Sequence, residues 1–274
     1  MADKSSRSDA VDLNLRDRVM LVIGASDGIG AATAKLLASE GARVALAARR
    51  GDALDRVVDE MRLQNAPDPL PLILDAASEG AADLAVDRTV ERFGALHGLV
   101  VIASPMGPRM PLHESSNADW RHYIDNGLMI AVQACRAALA PMRRQRDGAI
   151  VTTAAYSMRA QKGSLAAYAA AKAAVASLTK NIAKTYGAEG IRANCIAPGV
   201  VEKDAASSVE LAARYGVPPE RARYEFVHRE FGMNVALERA GRHEEFADMI
   251  VFLLSRRASY VTGSTINIDG GTDF

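Results

Sequence analysis

From residue 18 onward, short apolar runs alternate with longer stretches in which apolar positions return every three or four residues. The first kind reads as buried strands and the second as helices packed on them. Strands are predicted at 18–23 (RVMLVI), 43–48 (RVALAA), 70–74 (LPLIL), 98–103 (GLVVIA), 149–154 (AIVTTA), 191–197 (IRANCIA) and 265–268 (TINI). Helices are predicted at about 28–40, 51–63, 78–93, 117–145, 164–187 and 243–255. This alternation predicts one doubly wound, Rossmann-type α/β domain over residues 15–274, a seven-stranded parallel sheet with helices on both faces. Residues 1–14 are polar and charged and are expected to form a flexible extension. The segment 200–241 reads as a long irregular stretch after the sixth strand, at the carboxyl edge where such sheets bind ligands. Val209, Leu211, Tyr215, Tyr224, Phe226, Val227, Phe231 and Met233 recur within it at roughly helical intervals, which fits two helices packed onto the sheet for most of them or an apolar cover over a substrate.

Composition narrows the function. Apolar residues make up 49% of the chain and aromatics only 5%, so Ala, Val, Ile and Leu must supply the core. The 33 basic and 33 acidic residues cancel, which leaves no long-range field to gather nucleic acid or a membrane surface. A small-molecule substrate is therefore the expected partner. The start lacks an apolar signal core and no run reaches membrane-span length, so a cytoplasmic location is expected. Cys135 and Cys195 are isolated and the five histidines show no ligand spacing, which predicts no metal site.

The stretch VMLVIGASDGIGAATAKLLASEGARVALAARR (19–50) is a strand, a turn carrying Gly24, Gly28 and Gly30, a helix and a second strand. A pyrophosphate needs this arrangement, because glycines let the backbone approach it and the helix beyond presents free N–H groups and a positive dipole end. The second strand ends in Ala48, Arg49, Arg50 rather than in the acid that would hold free ribose hydroxyls. Arg49 is placed to pair with a 2′-phosphate, which favours NADP(H) and leaves NAD(H) possible. Asp27 adds a contrary negative charge to the loop.

In SLAAYAAAKAAVASLTKNIAK (164–184) Tyr168 and Lys172 stand four residues apart on a strongly helix-forming segment, so both project from one face. Reduction of a carbonyl leaves an alkoxide that must take up a proton, and the reverse reaction needs a base. Bringing a phenol from about 10 to about 7 takes roughly 4 kcal/mol, a bias that a nearby ammonium and a cationic nicotinamide can supply.

Together with NCIAPGVV (194–201) and YVTGSTINIDGG (260–271), the order and spacing of these motifs resemble the short-chain dehydrogenase/reductase family across residues 15–272. The resemblance implies that Tyr168 is the acid/base, that Lys172 holds the nicotinamide ribose and that Pro198 and Gly199 bracket the nicotinamide. It further implies cofactor contacts at Ser26, Ile29, Ala76, Ala103 and Val201, with Asp75 at the adenine. A homo-oligomer, most readily a tetramer, follows from the alanine-rich helix at 164–187 only through the resemblance.

Several family positions do not match. Ile23 replaces a threonine, Ala155 the serine, Gly127 (beside Asn126) the asparagine, Val101–Ser104 the Asn-Asn-Ala-Gly run, and Lys203 another threonine. Losing an oxyanion donor such as the serine typically costs a factor of roughly 10² to 10³ in rate. Thr153, Tyr156 and Ser157 lie close enough in sequence to replace it, and Tyr156 or Ser157 is expected to hold the carbonyl oxygen. Three readings stay open: an NADP(H)-dependent oxidoreductase interconverting a ketone and a secondary alcohol on an apolar small molecule, an enoyl-type double-bond reductase suggested by the position of Tyr156 and by LVVIASPMGP, and a catalytically impaired NADP(H)-binding protein.

Overall fold

The computed structural model describes residues 12–64, 66–103, 107–160, 162–203 and 205–272. Seven strands pair entirely in parallel: β1 (Val19–Ile23), β2 (Arg43–Ala48), β3 (Leu70–Ile73), β4 (Gly98–Val101), β5 (Gly148–Thr153), β6 (Ile191–Pro198) and β7 (Thr265–Ile268). Their spatial order is β3-β2-β1-β4-β5-β6-β7, so the winding reverses between β1 and β4. In sheets of this kind the carboxyl ends of the two strands at the reversal leave a crevice.

The strands alternate faces at period two, and each face has its own core. Leu21, Ile23, Leu99, Val101 and Ile150 pack with α3 (Ala81–Phe93), α5 (Ile130–Gln145) and α6 (Ala166–Tyr186). Met20, Val22, Leu46, Val100 and Val151 pack on the other face with α1 (Gly28–Ser39), α2 (Gly51–Leu63) and α9 (His243–Leu254). The alternation in the sequence thus becomes helices on both faces of one sheet.

Local chemistry sets the helix ends. Asp27 caps α1 by accepting from Gly28 N at 2.7 Å, and Ser116 and Asp119 form a reciprocal capping box on α4 (Asn117–Tyr123). The helix expected over 117–145 is not continuous. A π-helical turn over Ile124–Met129 separates α4 from α5, a widening that periodicity does not reveal because apolar spacing hardly changes across one extra residue.

The segment 200–241 is more regular than expected. It holds α7 (Ala205–Tyr215) and α8 (Pro219–Phe231), the latter starting at a proline and stopped by Gly232 at φ 58°. Val200, Tyr224, Val227, Met233, Val235 and Ala240 form a small separate core there, against which Tyr156 and Phe226 pack. Of the expected N-terminal extension, residues 1–11 lie outside the described residues, as do Ser104–Met106 and Asp204. Asn14 N–H donates to Asp12 Oδ1 at 2.8 Å, and Leu15 is already buried.

Candidate active site

Behind β1 the glycines of the loop are forced by close approach. A Cβ on Gly24 would stand 2.6 Å from Ala103 N, and Gly24 has φ +94°. A Cβ on Gly30 would stand 2.0 Å from Gly24 O. The turn therefore folds directly over the first residues of α1, the end of a helix that favours an anion. Gly28, also at positive φ, lies beside the His243 ring.

A groove of about 360 Å³ opens next to this loop. Gly24, Ser26 and Asp27 line one side, and Arg49, Asp75 and Ala76 another. Ala103 and Asn126 close it. Asp75 is held by its own turn, Oδ1 accepting from Ala77 N at 3.1 Å. Arg50 donates to Asp27 Oδ2 at 3.2 Å and reaches Ser26 Oγ at 3.5 Å, so it neutralises the loop acid. Arg49 is exposed and makes no ion pair among the described residues. Asn126 enters the lining from the π-helical turn, one residue before the position where the family's asparagine falls. Its Nδ2 donates to His122 O at 2.9 Å. The glycine cradle, the N-terminus of α1 and this groove fit a dinucleotide.

A larger cavity of about 720 Å³ lies beyond, and Tyr168 and Lys172 stand together in its wall, one turn apart on α6. Lys172 is 2% exposed, and its Nζ donates to Thr153 O at 2.9 Å. The same Nζ lies 5.8 Å from the centroid of the Tyr168 ring. Tyr123 packs edge-on against Tyr168, with centroids 5.7 Å apart, and its hydroxyl donates to Pro108 O at 2.7 Å. Pro198, Gly199, Val201 and Ile29 also line the cavity, and a Cβ on Gly199 would meet Asp269 Cα at 2.6 Å.

The bias toward phenolate expected from the sequence belongs to the ammonium and a cationic nicotinamide together. Within the chain itself burial is the largest influence and pushes Tyr168 up to about 12, helped by Tyr156 and Tyr123 and opposed by Arg109. Burial likewise brings Lys172 down to about 8. Desolvation disfavours both charged forms and is the largest cause of each shift.

Ala155 is buried and offers no donor. Around it two hydroxyl oxygens in the cavity wall, Thr153 Oγ1 and Ser157 Oγ, are buried without a hydrogen-bond partner. Buried hydroxyls are normally satisfied, so two orphans side by side call for a partner. Tyr156 also lines the cavity, but its hydroxyl already donates to Met233 Sδ at 3.0 Å. Burial raises its pKa, while Arg109 and Arg223 pull it down.

The structure thus gathers the expected residues into two adjoining sets, with Gly24, Ser26, Asp27, Arg49, Asp75, Ala76 and Ala103 in the groove and Tyr156, Ser157, Tyr168 and Lys172 in the cavity. Sequence reasoning missed Arg109 and Arg223, both in the cavity wall. Neither belongs to a motif, and no spacing signal could have singled them out. Among the described residues, no cluster of His, Cys, Asp and Glu could hold a metal ion, and no helix is long and apolar enough to cross a membrane.

Comparison with known proteins agrees with this arrangement. Residues 24–273 match the family described as Enoyl-(Acyl carrier protein) reductase. The chain is 36% identical over 257 residues to cis-4-hydroxycyclohexanecarboxylate dehydrogenase of Sinomonas cyclohexanicum, covering 93% of this chain and 96% of that protein. The crystal structure of levodione reductase superposes with a TM-score of 0.81 at 33% identity, covering 93% of this chain and 97% of the other. NAD+-bound xylitol dehydrogenase superposes with a TM-score of 0.82 at 27% identity, covering 94% and 100%.

Proposed function

The chain belongs to the short-chain dehydrogenase/reductase family of NAD(P)-dependent oxidoreductases acting on CH–OH and C=O groups, and on that premise we propose that it interconverts a ketone and a secondary alcohol on an apolar, ring-sized small molecule, with NADP(H) as the preferred cofactor. The observation that carries the reading is the pair of half-buried Tyr168 and buried Lys172, with two orphaned hydroxyls in the same cavity wall. When bound, the nicotinamide supplies the hydride to the carbonyl carbon or removes it from the carbinol.

The chain's own residues handle the oxygen. Tyr168, kept protonated by burial, donates its proton to the oxygen as charge develops there. Ser157, with Thr153 beside it, supplies the hydrogen bond that Ala155 cannot. Lys172, anchored on Thr153 O, positions the nicotinamide ribose and gives the phenol an adjacent positive charge once a ligand's own groups compensate its burial. In the groove, Gly24 to Gly30 and the α1 terminus hold the pyrophosphate, and Arg49 meets the 2′-phosphate, with Arg50 occupied by Asp27. Helix α8 and the turn after it, with Phe226, Val227, Phe231 and Met233 in the cavity wall, cover the substrate. The Sinomonas relative, named for a hydroxylated cyclohexane, supports the size and character assigned to the substrate. Exposed Ala170, Ala173 and Ser177 on α6 leave a small-residue face for the subunit contact of a homo-oligomer, for which we propose a tetramer.

Steady-state assays with matched cyclic ketones and enones, each with NADPH and NADH, test the reading. Ketone turnover with lower KM for NADPH is the expected result. Reduction of the enone double bond alone would replace it with double-bond reduction, the activity in the family's description.

A further inference from the structure

Two arginines in the cavity wall have no carboxylate partner among the described residues. Arg109 comes from the loop before α4 and Arg223 from α8. The other arginines of α7 and α8 are all paired: Arg214 with Glu230, Arg221 with Glu225 and Glu238, and Arg229 with Glu225. Arg223 has no carboxylate within ion-pair distance among the described residues, and its Nε is buried without a hydrogen-bond partner. Glu202, the carboxylate in the cavity lining, is engaged by His243, whose backbone N–H donates to it at 3.1 Å.

An aromatic pair holds both cations in place. The Arg223 guanidinium lies 5.0 Å from the Phe226 centroid and that of Arg109 5.3 Å from the Phe231 centroid, while the two rings meet edge-on at 5.4 Å. Burial and the charge of Arg109 both lower the Arg223 pKa. Both arginines act electrostatically on the Tyr156 hydroxyl, and Arg109 acts on Tyr168 as well. Two like charges therefore line the same cavity as the reacting hydroxyls, together with Lys162 and Lys203, and among the described residues neither arginine has a carboxylate within ion-pair distance. Such an arrangement is unfavourable in a poorly solvated site until an anion enters, and guanidinium groups meet a carboxylate through paired, charge-assisted hydrogen bonds.

We propose that Arg109 and Arg223 form a subsite for a carboxylate on the substrate, which makes the substrate class an apolar, ring-sized hydroxy or oxo acid whose carboxylate sits on a carbon other than the reacting one. The inference rests on the carbonyl–carbinol reading above for the reaction, but the anion subsite stands or falls by itself.

The test uses the full chain with saturating NADPH or NADH and compares 3- and 4-oxocyclohexanecarboxylate with their methyl esters. The acids are expected to exceed the esters in kcat/KM by about 10- to 100-fold, mostly through KM, as for hydrogen bonds to a charged group. Arg223→Gln and Arg109→Gln should each bring that ratio close to one, and Arg223→Lys should restore it only in part, because an ammonium lacks the planar fork. Cyclohexanecarboxylate, which has no reacting oxygen, serves as a calorimetric probe; it should bind the wild type and bind either glutamine variant at least tenfold more weakly. If no oxo compound is turned over but cyclohexanecarboxylate binding still depends on the arginines, the subsite holds and the carbonyl reading fails. Equal turnover of acid and ester, preference for a pantetheine-linked oxoacyl substrate over the free acids, or arginine variants that keep the acid preference would overturn the subsite and leave the carbonyl reading standing. Should Arg223→Gln fail to fold, the wild-type acid-to-ester ratio and Arg109→Gln decide the matter.

Discussion

Around the loop after β1, an added Cβ would collide with backbone atoms at 2.0 and 2.6 Å, whereas the cavity wall at α8 is held by side chains: Tyr156 on Met233, Phe226 on Phe231, and two arginines on those rings. The first region is fixed by main-chain geometry and belongs to the large cores of the sheet. The second has a small core of its own. A backbone-defined cradle accepts one shape of ligand, while a wall of interdigitated side chains can be refitted by substitution at modest cost. On the function proposed above, cofactor recognition resides where the chain cannot change, and substrate choice where it can. Tyr168 and Lys172, on α6, stand where the two regions meet.

The largest effect is expected at that seam. Tyr168→Phe keeps the ring and its contact with Tyr123 but removes the proton donor, so kcat should fall about 10²- to 10⁴-fold. Cofactor affinity, measured by fluorescence titration, should stay as in the wild type. Comparable loss of both would place Tyr168 in the cradle rather than in proton transfer.

The contrast itself is broken or sharpened by Gly30→Ala against Met233→Leu. Gly30→Ala drives a methyl group into Gly24 O and should lower unfolding free energy by more than about 3 kcal/mol and abolish cofactor binding. Met233→Leu keeps core volume and loses only the Tyr156 hydrogen bond, so it should cost under about 1.5 kcal/mol and act on KM. Similar denaturation midpoints for the two variants would erase the distinction between the regions.

A smaller effect is expected in the pH dependence of stability. Lys172 sits at about 8 in the folded protein against 10.5 for a free lysine. Between these values the unfolded chain binds more protons, so stability should be flat below about pH 8 and rise as pH climbs toward 10.5, by at most about 3 kcal/mol. Tyr168, raised to about 12, acts in the opposite direction only above its free value of 10.0. In Lys172→Met the rise between pH 8 and 10 should vanish in urea titrations; if it persists, another group carries it.

Much of the fold was legible because burial writes a period into the chain. All seven strands and both helical layers follow from it, with ends that differ by a residue or two. The π-helical turn at Ile124–Met129 was not foreseen, since one inserted residue leaves little trace, whereas the helical spacing inside 200–241 was legible and only the bounds of its two helices were not. In the site, the glycines, Tyr168 and Lys172 were readable from local spacing, whereas the engagement of Tyr156 by Met233, seventy-seven residues away, was not.

By itself, the order of residues determined the sheet, the cradle and the proton-transfer pair, because each depends on neighbours a few positions apart. Tertiary structure alone decided the charge state of that pair and the company of Arg109 and Arg223. Desolvation and Coulomb forces depend on what lies nearby in space, and those neighbours come from segments with no common pattern along the chain.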